Sequence, residues 1–221
     1  MNYFVTGTDT GVGKTLISCA LLYGFAAQGK RVAGMKPVAA GCNGDGQNED
    51  ALQLRAAGNV TADYGQINPY CFLPAIAPHI AAQRAGVTID ISVIAKSYKK
   101  LAEKAELVIV EGAGGLLVPL NAQRDCADLA KELALPVILV VGMRLGCLNH
   151  ALLTVEAIAA RGLTLSGWVA NVLDGTMPAL QENMEALRER IAPPLLGAVP
   201  YMTGPDARVA AGQLHLERLE P

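Results

Sequence analysis

Charge is scarce in this chain. Only 17% of its 221 residues are charged and 52% are hydrophobic. That balance excludes intrinsic disorder, which needs low hydrophobicity and high charge. Neither sign dominates: 18 Lys and Arg stand against 20 Asp and Glu, for a net charge of −2. The footprint of a nucleic-acid binder is therefore missing, although one small anionic ligand at a local site is still allowed. No apolar run is long enough for a membrane span. The longest, Leu133 to Met143, is broken by Pro136 and Gly142, and a span needs about 20 apolar residues, so a buried strand is expected there. No basic stretch followed by a cleavable apolar segment opens the sequence, so no signal peptide is expected. The five cysteines (Cys19, Cys42, Cys71, Cys126 and Cys147) are odd in number and none are closely spaced. Neither a disulfide framework nor a zinc site is expected, and a reducing, cytoplasmic setting is. His79, His150 and His215 lack metal-ligand spacing. Internal repeats, linkers and low-complexity tracts are absent too.

What is present is an alternation of apolar runs and helical patterns. Strands are expected at Tyr3 to Thr6, Arg31 to Met35, Leu107 to Val110, Pro136 to Val141, Leu165 to Ala170 and Leu195 to Val199. Helices are expected over 14–27, 49–57, 90–105 and 148–160, the third with a basic solvent face (Lys96, Lys99, Lys100, Lys104). Residues 69–78 read as irregular, and the stretch from Thr203 is the least patterned. Apolar runs without alternation belong to strands buried on both faces. Such strands separated by helices predict right-handed βαβ units. The expectation is one α/β domain over 1–221, with a mostly parallel central sheet and helices on both faces. Ligands of such sheets sit beyond the carboxyl ends of the strands.

The residues just past those ends carry the unusual chemistry. Gly7-Thr8-Asp9-Thr10-Gly11-Val12-Gly13-Lys14-Thr15 joins a strand to a helix. Its glycines allow backbone N–H groups to cradle phosphate, with the helix N-terminus adding positive charge. In such a loop Lys14 neutralises the terminal phosphates and the Thr15 hydroxyl binds Mg²⁺. The loop is a variant, because Thr8 stands where the strict pattern has its first glycine, and with it the expected α/β domain is of the P-loop NTPase type. Lys36 follows the second strand; it is either a surface lysine or a ligand-facing one. Asp50 opens a helix, where an isolated acid also serves as an N-terminal charge. Glu111 ends four apolar residues and precedes Gly112-Ala113-Gly114-Gly115. A strand-end acid beside a glycine loop suits a Mg²⁺ ligand next to a γ-phosphate, and a metal would offset the cost of burying the acid. Asn171 ends its strand and is either an adenine-reading amide or a turn residue.

Together these segments resemble the dethiobiotin synthetase family over nearly the whole chain. The likeness runs through Tyr3 to Thr10, Val12 to Thr15, Lys36-Pro37-Val38-Ala39, Asp50-Ala51-Leu52, Asn68-Pro69-Tyr70 and Pro78-His79. It continues through Val110 to Gly115, Pro136 to Gly142, Leu145-Gly146-Cys147, Asn149-His150-Ala151, Gly167 to Asn171 and Pro194 to Gly197. The resemblance implies an ATP-dependent ligase that converts 7,8-diaminopelargonate and CO₂ (or bicarbonate) to dethiobiotin. It implies Lys36 as catalytic lysine with Lys14 on the same phosphate, and Thr10 near the substrate amine or carbamate. Gly11, Val12, Gly13, Lys14 and Thr15 would cradle the phosphates. Thr15, Asp50 and Glu111 would hold Mg²⁺, with Gly112, Ala113 and Gly114 beside the nucleotide. Asn171, Val172, Pro200, Tyr201 and Met202 match adenine-binding segments. The family is a homodimer, and Gly146, Cys147 and Asn149 match the helix start that receives the substrate carboxylate from the neighbouring subunit. Two positions depart from the pattern. Ala40 stands where relatives carry a substrate-contacting serine, and Gly11 replaces an acidic loop residue. The competing class is a P-loop switch ATPase of the partitioning or metal-insertion type; Asp9 occupies the place of its second loop lysine, and Lys36-Pro37-Val38 also speaks against it.

Overall fold

The computed structural model describes residues 2–219, so the expected span of 1–221 includes Met1, Glu220 and Pro221, which lie outside the described residues. Strands β1 (Tyr3–Gly7), β2 (Val32–Met35), β5 (Leu107–Gly115), β6 (Val137–Met143), β7 (Leu165–Val172) and β8 (Leu195–Val199) form one sheet in the order β2-β5-β1-β6-β7-β8. Every pairing in it is parallel. Strands β3 (Val38–Ala40) and β4 (Tyr70–Phe72) form a second, two-stranded parallel sheet. The helices are α1 (Lys14–Ala27), α2 (Glu49–Ala57), α3 (Tyr64–Ile67), α4 (Pro78–Arg84), α5 (Ile91–Lys104), α6 (Cys126–Glu132), α7 (Cys147–Ala160), α8 (Leu180–Arg190) and α9 (Ala207–Ala211). None of the helices in the described residues is long and apolar enough to cross a membrane.

Both faces of the sheet are covered, and alternation along the strands shows it. Tyr3, Val5, Leu107 and Ile109 pack with Ile17, Leu21 and Leu22 of α1. Phe4, Val108 and Val110 point the other way, into a cluster with Ile94 and Leu101 of α5 and Leu129 of α6. A third cluster joins Leu139, Val141, Trp168 and Ala170 to Ala151 of α7 and Leu187 of α8. This two-sided burial explains why the strands read as unbroken apolar runs. α1 and α2 can lie close to β2 because Gly34 has no Cβ: one built there would stand 2.8 Å from Leu54 Cβ and 2.9 Å from Leu22 Cδ1.

Several expectations need correction. β5 does not end at Glu111 but runs through Gly115, because it keeps pairing with β1 past a register shift, Gly7 facing Gly115. The stretch expected to be irregular contains β4. The absence of a disulfide is also overturned: Cys42 and Cys71 are bonded. Their 29-residue separation hides their proximity. β3 and β4 pair with Ala39 opposite Cys71, and the N–H groups of Gly41 and Cys42 both donate to the Phe72 carbonyl, at 2.9 and 3.1 Å. That brings the two Cα atoms to 6.0 Å, within disulfide range.

Candidate active site

The order of strands places the site. β1 lies at the centre, with β5 on one side and β6 on the other, so the connection leaving β1 sits in the crevice where the winding reverses. That connection is the glycine loop leading into α1. Gly11 and Gly13 have φ of 75° and 85°, the left-handed region that glycine enters without a Cβ clash. Gly13 is the N-cap of α1, with no side-chain cap and no acid in the first turn. The first N–H groups of α1 thus compete with no side chain for an anion. A Cβ at Gly7 would stand 2.5 Å from Val12 Cγ2. Asn171, 4% exposed, donates its amide to the Val12 carbonyl at 2.9 Å and braces the loop from behind. Asp9 accepts from the Thr10 N–H at 2.7 Å and pairs with Arg144 at 2.6 Å, tying the loop to the β6–α7 connection. The Thr10 N–H and then Arg144 hold the Asp9 carboxyl below its ordinary range.

Strand register brings two distant groups to this loop. Met35 pairs with Val110, so the next residues, Lys36 and Glu111, emerge side by side. Lys36 is 6% exposed and Glu111 0%. Their charged atoms are 2.5 Å apart, and Lys36 Nζ also reaches Asp50 Oδ2 at 3.0 Å. The Thr15 hydroxyl donates to Glu111 Oε1 at 3.0 Å. Burial alone pushes the Lys36 ammonium down, but the carboxylates of Glu111 and Asp50 outweigh it and hold the group above its ordinary value. Burial pushes Asp50 up, and the charge and hydrogen bond of Lys36 more than reverse that. Lys14 donates to the Asp9 carbonyl at 3.2 Å. Burial and then the charge of Lys36 lower the Lys14 ammonium against the pull of Glu111 and Asp50. The two lysines therefore act on the same small region. Glu111 Oε2 is buried and has no hydrogen-bond partner among the described residues. A free carboxylate oxygen beside Asp50 and the Thr15 hydroxyl is the hard-oxygen donor set that Mg²⁺ takes, so the residues present fit that ion.

These groups line a cavity of about 700 Å³. It gathers Thr10, Gly11, Gly13, Lys14, Thr15, Lys36, Ala40, Asp50, Glu111, Ala113 and Gly114. Other expected residues lie off its wall. Val12 is a core residue, Gly112 abuts the Phe4 ring, and Asn171 and Val172 are buried. Tyr201 stands over Gly175, and Met202 packs on the α1 side of the core. Pro200 is exposed. Gly146, Cys147 and Asn149 form the start of α7, just after Arg144 in the chain, with Cys147 buried. Asn48 and the segment Ala75 to Pro78 line the cavity without having been singled out as site residues. Asn48 had a readable signal: it caps α2 just before Glu49 and Asp50, the usual order at a helix start. Ala75 to Pro78 carry no chemistry that would mark them.

A family model described as an AAA domain matches residues 1–207. An ATP-dependent dethiobiotin synthetase BioD of Nitrosospira multiformis is 55% identical over 217 residues, covering 98% of this chain and 96% of its own. The chain belongs to the dethiobiotin synthetase family. It is accordingly an ATP-dependent ligase. The BioD of Aromatoleum aromaticum is also 55% identical, over 97% of this chain and 96% of its own. Among solved structures, the MinD cell division protein of Aquifex aeolicus matches with a TM-score of 0.57 at 16% identity, over 98% of this chain and 89% of its own. A ParA family ATPase of Chlorobium tepidum matches with a TM-score of 0.55 at 13% identity, over 98% of this chain and 91% of its own. These likenesses show the P-loop NTPase fold that this synthetase shares.

Proposed function

We propose that the protein joins CO₂ to 7,8-diaminopelargonate and closes the ureido ring of dethiobiotin, with ATP converted to ADP and phosphate. One amine captures CO₂ as a carbamate and releases a proton. A carbamate oxygen attacks the γ-phosphorus and displaces ADP, which leaves a carbamic–phosphoric anhydride. The second amine attacks the anhydride carbonyl and expels phosphate. A carbamate is a poor electrophile, so its oxygen must first become a leaving group. The observation that carries this reading is the convergence of Lys14 and Lys36 on one cavity at the strand ends. Phosphoryl transfer asks the protein for positioning and charge neutralisation more than for a covalent nucleophile.

In this reading the loop N–H groups from Gly11 to Thr15 bind the phosphates. Lys14 neutralises the terminal phosphate, and Lys36 stabilises charge on the carbamate and the transferring group. Thr15, Asp50 and Glu111 would hold Mg²⁺, which supplies charge neutralisation on the phosphate oxygens when bound. Thr10, at the mouth of the loop, contacts the carbamate or amine. With Ala40 offering no hydroxyl, the cavity wall there is apolar. Asn171 contributes by holding the loop, with Val172 and the Pro200 to Met202 segment toward the base. Two copies of the chain would complete the site, with Gly146, Cys147 and Asn149 of one receiving the substrate carboxylate of the other at a helix N-terminus. Leu145, 98% exposed in the turn before α7, and Leu153 on α7 itself give that pairing an apolar surface. Consumption of ATP fits a cytoplasmic setting. The test is mass-spectrometric detection of dethiobiotin from the diamine, bicarbonate, Mg²⁺ and ATP. ATP hydrolysis unaffected by the diamine, with no dethiobiotin formed, would instead indicate a switch ATPase.

A further inference from the structure

Lys36 is held at both backbone groups by one short segment. Its N–H donates to the Ile67 carbonyl at 2.8 Å, and its carbonyl accepts from Asn68 Nδ2 at 2.6 Å. Asn68 is buried and its hydrogen-bonding capacity is well used. The same amide nitrogen donates to the Tyr70 carbonyl at 3.1 Å, and Oδ1 accepts from the Tyr64 hydroxyl at 3.0 Å. The Tyr64 oxygen in turn accepts the backbone N–H of Asn48 at 2.8 Å. Asn48 caps α2 by accepting from the Ala51 N–H, and Asp50 lies in the first turn of that helix. Asp50 is the carboxylate that meets Lys36 Nζ at 3.0 Å. A single phenol hydroxyl therefore links the mounting of the ammonium to the mounting of the carboxylate facing it.

We infer that Tyr64 and Asn68 are positioning residues that set the Lys36 ammonium against Asp50 at the cavity. The inference rests on the reading of Lys36 as the catalytic lysine. A lysine side chain is flexible, and about 2 kcal/mol of rotamer entropy opposes holding it in one place. Fixing its backbone on one side and its carboxylate partner on the other restricts where the ammonium can go. α3 is only one turn long, too short to persist without tertiary partners. Its hydroxyl and the buried amide just past its end both serve the Lys36–Asp50 pair. Misplacement of a reacting group by about 1 Å can cost a hundredfold in rate, so a mounting of this kind has kinetic weight.

The test uses the full chain with Tyr64→Phe and Asn68→Asp, and Tyr98→Phe as the matched control. Tyr98 is another partly buried tyrosine, whose hydroxyl accepts from Asn2 at 2.7 Å outside the cavity. Two readouts are compared. The first is modification of Lys36 by acetic anhydride, measured by peptide mass spectrometry against the exposed Lys99 and Lys100. Several-fold faster labelling of Lys36 is expected in Tyr64→Phe and Asn68→Asp, and no change in Tyr98→Phe. The second is turnover: a fall of about tenfold in kcat is expected in the two site variants, with KM for ATP within about threefold and the control unchanged. Unaltered Lys36 labelling in Tyr64→Phe, or an equal loss of kcat in Tyr64→Phe and Tyr98→Phe, would overturn the inference. Wild-type protein that makes no dethiobiotin would count against the proposed reaction instead, and the labelling comparison would still decide the positioning role. Tyr64→Phe removes one oxygen and keeps the ring, so it carries the test even if Asn68→Asp fails to fold.

Discussion

Among single residues, Lys36 and its two carboxylates carry the most chemistry. Lys36 is nearly buried and shared between two carboxylates, so removing either one weakens the compensation of a charge that water cannot reach. Asp50 is more open, with 40% of its side chain exposed, and Lys36 holds its carboxyl below the ordinary 3.8. A carboxyl depressed by folding contributes stability that is present above its ordinary value and lost as the pH falls through the depressed one. Asp50→Asn should therefore melt below wild type at pH 7. The gap should narrow as the pH is taken below 3.8, as followed by thermal melts across an acid series. A gap constant over that series would mean that the pair does not stabilise the fold. The lysine itself was only half legible. Its place past a strand end marked it as a candidate, but its pairing with Glu111 depends on the register of Met35 against Val110, and neighbouring-strand register cannot be read from one chain's spacing.

For whole elements, the glycine loop and α1 were the clearest features in the sequence, because a strand, Gly-Lys-Thr and a helix follow one another locally. Helix bounds at 14–27 and 49–57 and the last strand at Leu195 to Val199 agree with the structure. α6 and α8 were missed although both had signals. Asp125 and Asp128 form a capping box at α6, and Leu180, Met184 and Leu187 of α8 lie at helical spacing. β3 and β4 were hidden for a better reason: strands of three residues, paired only with each other, leave almost no periodicity. The contact between the loop and β7 was equally invisible, since Asn171 looked like a turn or ligand residue and proves to brace Val12. It permits a sharp prediction. At Gly13 a Cβ would run into Asn171 Nδ2, and φ is 85°. Gly13→Ala should lose roughly 2–4 kcal/mol, from left-handed backbone strain and a buried carbonyl stripped of its donor. Urea unfolding should also show that Gly13→Ala and Asn171→Ala together cost less than the sum of the two. Strict additivity would mean that the two residues do not meet.

On the scale of the molecule, the class of fold was written plainly in the sequence, since two-sided burial makes parallel strands read as apolar runs. The disulfide was not, because it depends on two minor strands meeting across 29 residues. It links the end of β3 to β4 beside the cavity wall. Cys19, Cys126 and Cys147 are buried and free. Burial pushes the Cys19 thiol up to about 12 and that of Cys126 to about 11. Native protein purified without reductant should therefore react slowly with iodoacetamide at all five cysteines. Mild reduction should open Cys42 and Cys71 alone and lower stability by about 3 kcal/mol, from the loop released. Rapid labelling of Cys42 and Cys71 before reduction would contradict the bond. Many of the residues that line the cavity, from Thr10 to Thr15 and at Lys36, Asp50 and Glu111, were legible as candidates one by one, whereas its walls from Ala75 to Pro78 came only from folding. In the proposed reaction, what joins those positions is two positive charges, Lys14 and Lys36, converging on one cavity. That claim is tested most directly by measuring MgATP affinity and dethiobiotin formation side by side in wild type and Lys36→Ala. The account predicts a dissociation constant for MgATP within a few-fold of wild type and turnover reduced by at least about a hundredfold. Equal losses in binding and turnover, or turnover close to wild type, would contradict it.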